Sequence, residues 1–148
     1  VSAFLLNRSS DLRFFPKNKL FPFGHGLSYT TFKFGKLTAN TQHLSPNTSI
    51  TFTIPVTNTG SVAGAETIQL YISELQPKVE RPGKELQAFS KVFLQPGETK
   101  QVSLTIDRSA LSYYDDQTGQ WTAKPGDFKA LIGTSSKNII NDYKFRLK

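Results

Sequence analysis

An all-β fold, an antiparallel sandwich of two sheets preceded by an extended N-terminal arm, is what this sequence predicts, and three observations carry the prediction. From residue 30 onward apolar and polar residues alternate with a period of two, β-branched and aromatic residues are enriched, and turn residues recur at roughly ten-residue spacing. No segment shows a convincing amphipathic helical pattern, and no stretch repeats internally.

Candidate strands fall at 30–37, 49–58, 63–74, 84–94, 99–107, 111–115, 120–123, 127–134 and 139–147. In the second, Ile50, Phe52, Ile54 and Val56 point to one face while Thr51, Thr53 and Thr57 point to the other, the pattern of a half-buried antiparallel strand. The third places Ile68, Leu70 and Ile72 inward, and the fifth Val102, Leu104 and Ile106. Burying these ten side chains contributes on the order of 15–30 kcal/mol before conformational entropy is subtracted. Turn chemistry separates the strands: Asn58-Thr59-Gly60, Pro96-Gly97-Glu98, Asp116-Gln117-Thr118-Gly119 and Pro125-Gly126-Asp127 supply the fixed-φ or positive-φ positions that turns require. Pro55 inside a strand pattern predicts an edge strand or a bulge. Seven or more such strands indicate a sandwich of the immunoglobulin or fibronectin type III kind over residues 30–148. Residues 1–29 read as an arm and linker, with a short apolar start at 1–6 and a polar, charged stretch from Asn7 to Lys19.

The composition narrows the functional classes. Of 148 residues, 37% are apolar and none is cysteine, so a disulfide framework, a thiolate metal site and a cysteine nucleophile are excluded. No apolar run approaches the roughly 20 residues of a membrane-spanning helix. The formal charge of +7 is uneven. Arg8, Arg13, Lys17, Lys19, Lys33 and Lys36 stand against Asp11 alone in the first forty residues, which reads as a solvated basic surface without a nucleic-acid motif. The chain starts at Val1 and holds no methionine, which predicts a removed leader or a cut from a larger protein. Two N-x-[ST] sequons make Asn7 and Asn47 glycosylation candidates in a secreted, extracellular setting.

Chemistry-bearing constellations are sparse. His25 and His43 are the two histidines, and neither belongs to a G-x-S-x-G or H-E-x-x-H context, so no triad and no metal site is expected. The closest carboxylate pairs are Glu80 with Glu85 and Asp115 with Asp116. The second pair opens a turn that aspartate favours, and the first reads, with Arg81 and Lys84, as solvated charge neighbours around Pro82-Gly83. Tyr113, Tyr114 and Trp121 gather at one predicted hairpin. Aromatics there stack on sugar rings or phenolic polymers when exposed, or pair across strands in the core.

The segments LFPFGHGLSYTTF at 20–32, VTNTGSVAGAETIQLYIS at 56–73, VERPGKELQAFSKVFLQPGET at 79–99 and ALSYYDDQTGQWTAKPGDFKALIGTSS at 110–136 closely resemble, in order and spacing, the C-terminal fibronectin type III-like domain of family 3 glycoside hydrolases, β-glucosidases in particular. The resemblance runs from about Leu12 onward, although Leu12 stands where a tyrosine usually does. It implies a barrel carrying an aspartate nucleophile and an α/β sandwich domain carrying the acid/base glutamate, with this domain following them. Neither catalytic segment is matched, so no catalytic residue is assigned to this chain and no cofactor is expected. The implied role is a noncatalytic accessory module that packs against and stabilises those domains, in cis or trans, and contacts polymeric substrate. A freestanding secreted module binding plant cell-wall polysaccharide or lignin is the alternative. On the first reading Gly24 and Gly26 supply backbone freedom at a joint, and Phe21, Phe23, His25 and Tyr29 are the docking residues.

Overall fold

The computed structural model describes residues 21–77 and 79–148. The arm over 1–20, with Asn7 and most of the basic cluster, lies outside the described residues. Eleven strands follow one another: β1 (Phe32–Phe34), β2 (Thr38–Ala39), β3 (His43–Leu44), β4 (Ser49–Asn58), β5 (Gly64–Glu74), β6 (Glu85–Leu94), β7 (Thr99–Asp107), β8 (Tyr113–Asp115), β9 (Gln120–Thr122), β10 (Gly126–Gly133) and β11 (Ile139–Leu147). A 3₁₀ turn at Arg108–Leu111 precedes β8, capped by the Asp107 carboxylate, which accepts from the Ser109 amide. This turn replaces the start of the strand expected at 111–115.

In the first sheet β4 pairs with β7 along one side and with β1 and β2 in succession along the other. The second sheet runs β3-β11-β10-β5-β6, antiparallel except for the β3–β11 pair. β8 and β9 form a separate hairpin. The alternation read from the sequence places the core: Ile50, Phe52, Ile54, Val56, Ile68, Leu70, Val102, Leu104 and Ile106 are all buried. Phe52 of the first sheet meets Phe145 of the second edge-on, with ring centroids 5.7 Å apart, and Phe145 stacks on Phe128. The Phe52–Phe145 contact joins the two sheets across the sandwich, and the Phe145–Phe128 stack backs it within the second.

Pro55 departs from expectation, because β4 is an interior strand. Its missing N–H costs nothing: the Pro55 carbonyl faces the β1–β2 side, where it accepts from the Gly35 amide at 2.9 Å, and the proline nitrogen points the same way. There the neighbouring edge is already interrupted between Phe34 and Thr38. A Cβ on Gly35 would stand 2.3 Å from the proline ring, so glycine lets the chain cross it. The strand expected over 30–37 is accordingly cut to three residues.

Candidate functional site

Residues 21–31 carry no strand; Gly24 lies over Gln69 on the outer face of the second sheet, and Thr30 and Thr31 bond to Asn58 and Thr59 at the end of β4. The Ser136 amide donates to the Phe23 carbonyl at 2.8 Å, and the His25 amide closes a turn onto Pro22. Gly24 has φ +75°, and a Cβ there would stand 2.2 Å from the Gln69 amide nitrogen. Gln69 is buried, donates to the Thr134 carbonyl at 2.8 Å and accepts from the Tyr71 hydroxyl. Backbone freedom and close approach therefore explain this glycine together.

The candidate docking residues stand outward. Tyr29 and Leu27 are almost fully exposed, and Phe21 and Phe23 are 72% and 63% exposed. The exposed His25 ring stacks on Phe21, with centroids 5.3 Å apart. Two residues that sequence reasoning missed share this side: Phe89, opposite Gln69, and Phe93, opposite Ala65, on the outer face of β6. The signal was present, since Phe89, Lys91 and Phe93 alternate with Ala88, Ser90, Val92 and Leu94, leaving a strand apolar on both faces. The outer face of the first sheet has the opposite character. Thr51 pairs with Thr105, Thr53 with Ser103 and Thr57 with Thr99 through hydroxyl contacts of 2.7–3.0 Å. One face of the sandwich is thus a hydroxyl ladder suited to water, and the other an aromatic surface.

The three residues of the aromatic hairpin separate. Tyr114 and Trp121 are an exposed cross-strand pair packed edge-on at 5.9 Å. Tyr113 turns inward, where the Arg81 guanidinium and the Lys124 ammonium lie 5.7 and 5.4 Å from its ring centre. Its buried hydroxyl makes no well-formed hydrogen bond among the described residues, and together with Asp115 it holds the Lys124 ammonium above the ordinary lysine range.

Arg81 is not a solvated neighbour of Glu80. Its side chain is only 12% exposed; it donates to Glu85 at 3.0 Å, to the Leu111 carbonyl at 3.1 Å and to Glu74 at 3.3 Å. Glu85, which stands close to Glu80 in the chain, is thereby ion-paired and shares the guanidinium with Glu74. Asp115 does cap its turn, accepting from the Gln117 amide at 3.1 Å. Among the described residues no three histidine or carboxylate side chains gather at one point, and no helix is long and apolar enough to cross a membrane.

A groove of about 950 Å³ connects the two aromatic groups, with Phe23 and Ser136 of the joint region and Trp121 of the hairpin among its lining. Tyr71, Lys84 and Gln87 also line it.

The sandwich is a fibronectin type III-like module: residues 66–136 match the family described as Fibronectin type III-like domain. More particularly, the chain belongs with the fibronectin type III-like domain of family 3 β-glucosidases. It is 46% identical over 121 residues to Thermostable beta-glucosidase B of Acetivibrio thermocellus, covering 82% of this chain and 16% of that protein. A β-glucosidase of Bacteroides ovatus is 49% identical over 126 residues, covering 85% of this chain and 17% of its own length. The solved β-glucosidase of Listeria innocua in complex with laminaribiose superposes with a TM-score of 0.81 at 32% identity, over 90% of this chain and 18% of that one. That of Kluyveromyces marxianus gives 0.79 at 38% identity, over 89% and 15%. The chain spans about one sixth of the length of the curated relatives it matches.

Proposed function

We propose that this chain is a noncatalytic accessory module of a family 3 β-glucosidase and that it docks on the catalytic part through the aromatic side of the sandwich. The contrast between the two outer faces carries the reading. Phe89 and Phe93 are exposed on the outer face of the second sheet and Phe21, Phe23, Leu27 and Tyr29 on the segment leading into the sandwich, while the outer face of the first sheet is satisfied by its own hydroxyl pairs. Scattered exposed apolar residues are normal on a monomer, but a concentration of aromatics on one side marks an interaction surface. The homologous domain sits within much larger β-glucosidase chains, which supplies the partner. An extracellular setting accords with Asn47, whose sequon is exposed in the turn between β3 and β4.

Coexpression with the catalytic portion of the Acetivibrio relative tests the reading. The purified chain should leave an aryl β-glucoside intact, should copurify with that portion, and should lose the association when Tyr29 and Phe93 are changed to serine. Turnover that follows the chain through purification, or association indifferent to both substitutions, would sink it.

A further inference from the structure

We propose that the groove between the joint and the β8–β9 hairpin is a saccharide subsite that takes a short neutral glucan chain, stacked on Trp121 and hydrogen-bonded by Gln87 and Lys84. A pyranose ring presents an apolar C–H face rimmed by hydroxyl groups. A site for it needs an aromatic plane beside side chains able to donate and accept, and this lining interleaves Phe23, Tyr71 and Trp121 with Lys84, Gln87 and Ser136.

Three observations converge on the same place. Trp121 is 73% exposed although it belongs to a paired strand, so the indole is not consumed by the core. Gln87 is the extra residue of a bulge: Leu70 pairs with Ala88 and Tyr71 with Leu86, which leaves Gln87 unopposed on β6 and lining the groove. Bulges commonly re-aim a side chain beside a site. Finally, the charge in the groove is muted. Its lining carries one cation, Lys84, and one carboxylate, Glu85, and the Lys84 ammonium lies 5.7 Å from the Tyr71 ring centre, where the aromatic face accommodates it. Donors, acceptors and a free indole with little net field suit a neutral polyhydroxyl ligand better than an acidic or a phenolic polymer.

This subsite goes beyond docking: it shares Phe23 with the docking side, while Trp121, Lys84 and Gln87 are not among the docking residues. Trp121 is the sole tryptophan of the chain, so its emission reports on the groove directly. Titration of the 148-residue chain with cellotetraose and laminaritetraose is expected to change that emission saturably with at least one of them, at a dissociation constant in the millimolar range. By calorimetry, Trp121→Phe should retain binding, Trp121→Ala should weaken it about tenfold and Gln87→Ala about threefold, with unfolding midpoints unchanged. Tyr29→Ser should leave the titration as it is while impairing association with the catalytic portion, which separates the two readings. Flat emission with both sugars up to about 10 mM, affinity undiminished in Trp121→Ala, or retention on lignin without glucan binding each overturns the proposal.

Discussion

The Thr30 hydroxyl donates to the side-chain carbonyl of Asn58 at 2.6 Å, fastening the joint to a fully buried polar residue at the end of β4. The same Asn58 oxygen accepts from the Gly60 amide, and its side-chain nitrogen donates to the Val62 and Leu94 carbonyls. Its backbone exchanges bonds with Gly97 and Glu98 in the next turn. One residue therefore ties the joint, two turns and the end of β6 into a single unit, and the exposed side chains of Phe23, Leu27 and Tyr29 are carried on a backbone anchored at this end by Asn58 and at the other by Ser136.

Asn58→Ala should cost about 3 kcal/mol, because it strands the buried Leu94 carbonyl and removes the partners of the half-buried Val62 carbonyl, Gly60 amide and Thr30 hydroxyl. Thr30→Val removes one bond and should cost about 1 kcal/mol. Urea unfolding at neutral pH measures both, and a cost under about 0.5 kcal/mol for Asn58→Ala contradicts the hub.

Arg81→Ala should destabilise by roughly 3 kcal/mol, since Glu74 and Glu85 then face each other's charge without a cation between them. Lysine should recover less than half of that. The guanidinium serves Glu74 and the Leu111 carbonyl from one terminal nitrogen and Glu85 from the other, all in one plane, and an ammonium on a flexible stem does not reproduce the fork. Full recovery by Arg81→Lys in chemical denaturation would show that charge alone suffices.

Gly24→Ala should cost about 1–2 kcal/mol, from the positive φ and from the collision with Gln69. Gln69 cannot simply move away, because it is buried between Thr134 and Tyr71. Gly26 has open space where a Cβ would stand and a φ outside the left-handed region, so Gly26→Ala should be near neutral. Equal losses at the two positions would refute the assigned difference.

These cases show which features the one-dimensional pattern carries. Period-two alternation in β4, β5 and β7 locates the core because every inward residue meets the same environment, and turn residues bound the strands because their φ requirements are local. Pro55 misleads, since strand position depends on what happens across the ladder, at Gly35, twenty residues away in the chain. Arg81 misleads likewise: its partner Glu74 and the Leu111 carbonyl come from other segments, so adjacency to Glu80 suggests the wrong environment. Of the candidate site, the joint and the hairpin are each legible as clusters of aromatic residues. Their meeting in one groove is not, because it depends on how the bulge at Gln87 and the loop holding Arg81 bring β6 beside the 3₁₀ turn.

Glu66 supplies a pH dependence of definite sign. It lies on β5 on the same side as Ile68, and burial raises its carboxyl above the ordinary range, opposed only in part by the bond it accepts from the Thr67 amide at 2.9 Å. A carboxyl whose folded pKa exceeds its unfolded one is a penalty to folding, fully present above the folded value. As pH falls through the interval between the raised value and the ordinary 4.5, the folded state takes up its proton first and the penalty is relieved. Below that interval both states are protonated and nothing more changes from this group. Glu66→Gln should therefore raise the unfolding midpoint at neutral pH, and the advantage over the parent should shrink as pH drops into the carboxylate range. Thermal unfolding of both proteins across a pH series tests this. An advantage that grows toward acid would mean the carboxylate is stabilised in the fold, by a partner that burial alone does not reveal.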